Sequence, residues 1–173
     1  MIGIISSSIR EERLSHRVAI ALSNAFHVKN IEAVLIDLKE MNFPLFDERI
    51  SNLIHPPEAL TRLSEILNAS DKIVFVTPEY NGTIPASLKN LIDVLDGNEF
   101  PDKRIGIVSV STGSMGGIRA AQQLQQIILA LQAHPIPQML LVREVDKFFD
   151  QSGECQNELI SNKLQKFIHA VIR

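Results

Sequence analysis

Cysteine is nearly missing from this sequence. Cys155 stands alone among 173 residues, so no internal disulfide can form, and without a companion thiol or a Cys-His cluster there is no thiolate zinc site. That usage suits a reducing cytoplasm, the compartment expected for the chain. A strong charge of either sign is missing too. With a formal net charge of −3 and an isoelectric point near 5.9, there is no overall basic field to attract a duplex nucleic acid. No apolar run approaches the roughly 20 residues that span a bilayer, and Met1-Ile2 opens the sequence with no basic leader or small-residue cleavage pattern. The expectation is a soluble, untargeted protein with neither a membrane nor a nucleic acid as partner.

Missing motifs narrow the chemistry further. Neither G-x-x-x-x-G-K-[ST] nor G-x-G-x-x-G occurs, which argues against a nucleoside-triphosphatase or a Rossmann dinucleotide site. The absence of G-x-S-x-G removes the α/β-hydrolase reading. His16, His27, His55, His134 and His169 are scattered without i, i+4 or carboxylate-paired spacing, so no metal is expected. Asp93 and Asp96, three apart, read as a solvated helix face or a cap rather than a catalytic pair.

What is present is a steady alternation. Continuous apolar runs at 2–6, 32–37, 72–77, 104–110 and 137–142 read as strands buried on both faces. Between them Leu14, Val18, Leu22 and Phe26 recur at helical spacing, as do Leu88, Leu91, Ile92 and Leu95, and Leu124, Ile127, Ile128 and Leu131. Residues 57–69 and 156–172 supply two more helices, the second with Leu159, Ile160, Leu164, Phe167, Ile168 and Val171. Strands alternating with helices predict βαβ units around a doubly wound parallel sheet. The length and the 45% hydrophobic content suit one domain over 1–173. In the long irregular stretch 41–56, the apolar residues Phe43, Leu45 and Phe46 are expected to cap the core, with a pocket wall as the other role open to Phe46.

In such a sheet, ligands bind beyond the carboxyl ends of the strands. The first of those loops runs Ser6-Ser7-Ser8-Ile9-Arg10-Glu11-Glu12-Arg13-Leu14-Ser15-His16-Arg17 into a helix. A helix N-terminus carries free N–H groups and a partial positive charge that disfavours cations, yet Arg10, Arg13 and Arg17 gather there. A bound phosphate would reconcile them. Glu11 and Glu12 offer another reading, solvated charge, and Ser15 can serve as an ordinary N-cap. After the third strand come Pro78, Glu79, Tyr80, Asn81 and Gly82, where Asn-Gly marks a turn tolerant of positive φ and Pro85 suits the first turn of the next helix. After the fourth strand, Ser111-Thr112-Gly113-Ser114-Met115-Gly116-Gly117-Ile118-Arg119-Ala120 is followed by Gln123-Leu124.

The string PEYNG-x-x-P-x-x-L-K-N-x-I-D at 78–93 resembles the signature of the NADPH-dependent FMN reductase family, which includes flavodoxin-like quinone and azo-dye reductases. The resemblance extends to Ser7-Ser8-Ile9-Arg10, where the family shows Gly-Ser-x-Arg, and to the Gly-Gly-x-Arg-Ala turn at 116–120. It implies an α/β, flavodoxin-like three-layer sandwich whose five-stranded parallel sheet has the order 2-1-3-4-5. It implies FMN as cofactor and NADPH or NADH as co-substrate. Ser8, Arg10 and Ser15 would cradle the FMN phosphate, with His16 as a neighbour and Arg13 as a further candidate. Pro78, Glu79, Tyr80, Asn81 and Gly82 would wrap the flavin ring, and the turn at Gly113 would lie against its other side. Two departures stand out. Ser7 replaces the usual glycine and adds a Cβ where backbone is expected to pass close to the phosphate, and Ser15 stands where asparagine is common.

The activity implied is that of an NAD(P)H-dependent FMN oxidoreductase, with hydride passing from nicotinamide to bound FMN and then to a quinone, azo compound, free flavin or metal oxyanion. The cofactor carries that reaction, so no catalytic side chain is named. Arg119 is a candidate contact for a nicotinamide phosphate. The other reading kept open is a flavodoxin-type electron carrier or a flavin-binding regulatory protein without appreciable turnover. The resemblance also implies a homodimer or homotetramer, and Leu129 and Ala130 widen the apolar face of their helix in keeping with it.

Overall fold

The computed structural model describes residues 1–41 and 44–173, and Phe43 lies outside the described residues. The apolar runs become β1 (Ile2–Ser6), β2 (Ala33–Asp37), β3 (Lys72–Pro78) and β4 (Arg104–Val110), all paired in parallel. The run expected at 137–142 differs. The edge beside β4 is filled by two short pieces, β5 (His134–Pro135) and β6 (Leu140–Val142), each paired in parallel with β4. Pro135 ends β5 and Pro137 lies within the break, and a proline has no N–H to give to a ladder. The order β2-β1-β3-β4-β5, with β6 also beside β4, is the flavodoxin-like order expected.

Every long helical stripe forms a helix: α1 (Leu14–Val28), α3 (Glu58–Ala69), α4 (Ala86–Val94), α5 (Ile118–Ala130) and α7 (Glu158–Ile172). Periodicity does not announce α2 (Leu38–Met41), α6 (Val145–Phe148) or the 3₁₀ turn Ile50–Asn52, each of which has about one turn and so too few residues to show a period. None of the described helices is long and apolar enough to cross a membrane.

Alternation along the strands sends side chains to two core layers. Ile5, Ile73, Phe75, Ile105 and Ile107 meet α3, α4 and α5 on one face. Ile4, Val74, Val76, Val108 and Val110 meet α1 and α7 on the other. Leu159 departs from its stripe: it is 70% exposed while Ile160, Leu164, Phe167, Ile168 and Val171 are buried. In the 41–56 stretch, Leu45 is 81% exposed and Phe46 only half-buried, so neither caps the core. Met41, Ile50 and Leu53 pack against it instead. Polar bonds hold that loop to α4 and the turn after it: the Asn90 carboxamide accepts from the Phe46 N–H (2.6 Å) and donates to the Pro44 carbonyl (2.9 Å), and Asp96 accepts from the Ser51 hydroxyl (2.7 Å). Asp93 pairs with Lys89 one turn away on α4.

Parallel pairing also gathers the strand ends at one carboxyl edge. Ser6 lies opposite both Asp37 and Val76, so β1 and β2 end together, while β3 and β4 run two residues further and end with Pro78 opposite Val110, which brings the loops after β1, β3 and β4 to the same edge of the sheet. On the α7 face, a Cβ added at Gly106 would stand 2.8 Å from the Phe167 ring. Overpacking of that kind costs about 1–3 kcal/mol, so Gly106→Ala is expected to lower unfolding stability by that amount in a denaturant titration. An unchanged midpoint would contradict the packing described.

Candidate functional site

The three loops singled out in the sequence meet in one cleft at the carboxyl edge. The loop after β1 contributes Ser8, Arg10, Glu12 and Arg13, and the first turn of α1 contributes Ser15; β3 and its loop give Pro78, Glu79 and Tyr80; Val110, Ser111 and Thr112 come from the end of β4 and its loop. Leu14 of α1 and Val145 of α6 complete its walls.

The first loop is held from behind. Ser7 is fully buried, its N–H donating to the Val76 carbonyl (3.0 Å) and its carbonyl accepting from the Ser87 hydroxyl (2.5 Å). It does not line the cleft, so its Cβ does not narrow the walls as the glycine replacement suggested. Arg13 forms a two-pronged ion pair with Asp37, the last residue of β2, and also donates to the Ser8 carbonyl (3.2 Å). Arg17 donates to the Phe149 carbonyl (2.9 Å). Of the three arginines gathered here, Arg10 is the one whose guanidinium bonds neither an anion nor a carbonyl among the described residues. It is exposed, and its guanidinium lies 5.7 Å from the centre of the Tyr80 ring.

His16 is placed differently from the expectation. Its Nδ1 bonds the Ser6 hydroxyl (2.9 Å) and lies 3.7 Å from the Asp37 carboxylate, behind the loop and outside the cleft walls. Burial pushes its pKa below the usual imidazole value, against the upward pull of Asp37 and with help from the Arg13 charge. Ser15 lies on the cleft side. It sits in the first turn of α1, is buried, lines the cleft, and its hydroxyl has no hydrogen-bond partner among the described residues. The N-cap Arg13 makes no side-chain cap bond and the first turn holds no acidic residue. The uncapped start of α1, its dipole and the unpartnered Ser15 hydroxyl thus lie together beside the cleft, an arrangement suited to a phosphate.

The loop after β3 is a tight hairpin. Tyr80 and Thr83 exchange backbone hydrogen bonds (2.9 and 3.1 Å) around Asn81 and Gly82, whose φ values of 51° and 80° are those of a type I′ turn. Asn81 and Gly82 thus form the hairpin tip, past the walls of the cleft. The Tyr80 hydroxyl shares a hydrogen bond of 2.7 Å with the Ser8 hydroxyl, linking the first loop to the hairpin.

Glu79 has a role that sequence reasoning missed. Its carboxylate accepts from the N–H groups of Arg119 (3.0 Å) and Ala120 (3.4 Å) and meets the Arg119 guanidinium (3.3 Å). It caps α5 from a different loop, because the N-cap there is Gly117, at φ 76° and without a side chain. Gly117 has no alternative: a Cβ would collide with the Ser109 hydroxyl. Gly113 is exposed, one residue beyond the cleft wall, with its N–H on the Ser111 hydroxyl (3.0 Å). Asp37 was missed as well, although an apolar strand ending in a carboxylate at the ligand edge is a readable signal.

Loss of an N-cap costs about 0.5–2 kcal/mol, so Glu79→Ala is expected to destabilise the protein by that amount in chemical unfolding and to raise amide exchange at Arg119 and Ala120. Unaltered exchange there would contradict the cap.

The model of the family described as NADPH-dependent FMN reductase matches residues 1–147. A quinone reductase of Pseudomonas putida is 30% identical, over 99% of this chain and 90% of its own. An NAD(P)H-dependent FMN reductase of Saccharomyces cerevisiae is 33% identical over 78% of this chain and 76% of its own. Among solved structures, a flavoenzyme NAD(P)H:(acceptor) oxidoreductase of Paracoccus denitrificans superposes with a TM-score of 0.84 at 22% identity, covering 99% of this chain and 94% of that one, a likeness of fold.

Proposed function

Because the chain belongs to the NADPH-dependent FMN reductase family, we propose that the cleft between its three loops is the FMN site of an oxidoreductase acting on a quinone or a related small acceptor. The observation that carries this reading is the buried, unpartnered Ser15 hydroxyl at the bare N-terminus of α1. A buried hydroxyl without a partner costs about 1–3 kcal/mol, which a hydrogen-bond acceptor in the cleft would relieve.

When bound, FMN supplies a redox centre able to take a hydride equivalent from a nicotinamide and yield it to an acceptor. The residues of this chain bind and orient. Ser15, the first N–H groups of α1, Ser8 and Arg10 would hold the phosphate. Arg10 brings the one cation of the first loop not already bonded to an anion or a carbonyl among the described residues. Pro78, Glu79, Tyr80, Asn81 and Gly82 would hold one side of the ring and the turn at Gly113 the other. Glu79 acts there by fixing α5 against the hairpin, and His16 by supporting the loop from behind. Arg119, exposed at the start of α5 beside Gly82, would meet a nicotinamide phosphate.

Quinones are the favoured acceptors, with azo compounds, free flavin and metal oxyanions in the same class of small, reducible molecules. We read 1–173 as one flavin-binding domain of a cytoplasmic homodimer or homotetramer. Leu129 and Ala130 are exposed on α5, which leaves apolar surface available for such an assembly.

The test is a visible spectrum of the protein with FMN, followed by anaerobic NADPH or NADH and then a quinone. Bleaching of the flavin band and its return on quinone addition are expected. A saturable FMN complex that neither nucleotide reduces would rule out the reductase, and no FMN uptake would rule out the site.

A further inference from the structure

The Arg13–Asp37 pair bears on how the cleft reads the cofactor's phosphate, a role that rests on the cleft being the FMN site. Arg13 lines the cleft, and a guanidinium beside a phosphate site is ordinarily a direct ligand. Here both of its terminal nitrogens are taken by the two Asp37 oxygens. Asp37 is held in its turn. It ends β2 in register with Ser6 and accepts the Lys39 N–H (3.1 Å), so the carboxylate is fixed to the sheet. The Arg13 and Asp37 side chains are only 11% and 15% exposed, and solvent screens the pair little.

Its geometric effect falls on the residues that face the cleft. Arg13 is the N-cap of α1 and its Nη1 also donates to the Ser8 carbonyl. One guanidinium thus ties Ser8, the start of α1 and the end of β2 together. A second ion pair, between Glu11 and Lys39, joins the same two segments from outside. With Arg13 committed in this way, the phosphate is left to Arg10, Ser15 and the helix N–H groups.

We propose that Asp37 is a positioning residue for the phosphate end of the site, acting through Arg13 to set Ser8 and the first turn of α1, and that Arg13 is its clamp and not a phosphate ligand. Loss of the clamp therefore weakens binding of the phosphorylated flavin selectively. Riboflavin, which has the same ring without the phosphate, is the internal control.

The experiment measures dissociation constants for FMN and riboflavin by flavin fluorescence in the wild type, Asp37→Asn, Arg13→Lys and the double variant, with circular dichroism and thermal melts confirming folding. Wild type is expected to prefer FMN. Each single variant should lose on the order of tenfold in FMN affinity while keeping its riboflavin affinity, and the double variant should be no worse than either single one. Lysine keeps the charge of Arg13 but not its fork, so an Arg13→Lys protein that binds FMN normally would overturn the clamp. Unchanged or tighter FMN binding by Asp37→Asn would overturn it too, as would an equal loss of both flavins, the mark of general loosening. A wild type that does not distinguish FMN from riboflavin would instead remove the phosphate site itself, and the clamp's role with it. If a variant fails to fold, Asp37→Glu replaces it: the carboxylate is kept and displaced, and the FMN-to-riboflavin ratio must fall.

Discussion

A parallel sheet delivers several chain segments to one edge, but it does not by itself fix the loops beyond that edge. In this protein the bond that does so is the fork between Arg13 and Asp37. It joins the loop after β1 to the end of β2 at the point where α1 begins. Without it, three arginines would crowd the positive end of a helix with only the exposed Glu11 and Glu12 as counter-charge. With it, one arginine becomes part of the framework, another is spent on the Phe149 carbonyl, and Arg10 is left, among the described residues, toward solvent and the cleft.

The other loops are fixed by one another in the same manner. Glu79 leaves the hairpin to cap α5, the Tyr80 hydroxyl reaches the Ser8 hydroxyl, and Ser87 of α4 bonds the carbonyl of Ser7. Each wall of the cleft is thus braced by a residue from a different segment. Such bracing suits a reductase of this family, because the cofactor brings the chemistry and the protein's task is to hold it in one orientation. The Asn81-Gly82 tip projects past the walls, so the hairpin combines a rigid base with an exposed turn at the mouth.

Much of this is legible from the residues. Continuous apolar runs mark the strands because both faces of the sheet are covered, and the helical stripes mark α1, α3, α4, α5 and α7 because each buries one side on that sheet. The three ligand loops are legible through hydroxyls, glycines and the 78–93 signature. What escapes depends on partners distant in sequence. Nothing local tells that Arg13 meets Asp37, 24 residues on, or that Glu79 caps a helix starting near Arg119. Sequence neighbours group His16 with the cofactor, whereas helical geometry turns it behind the loop to Ser6. Leu45 and Leu159 have the side chains of core residues, yet apolar character does not oblige a residue to be buried.

The most direct measurement is a crystal structure of the protein with FMN bound. The phosphate is expected at the start of α1, within hydrogen-bond distance of the Ser15 hydroxyl, with the Arg13–Asp37 fork intact. A phosphate seated elsewhere, or Arg13 swung away from Asp37 to bind it, would contradict the central claim.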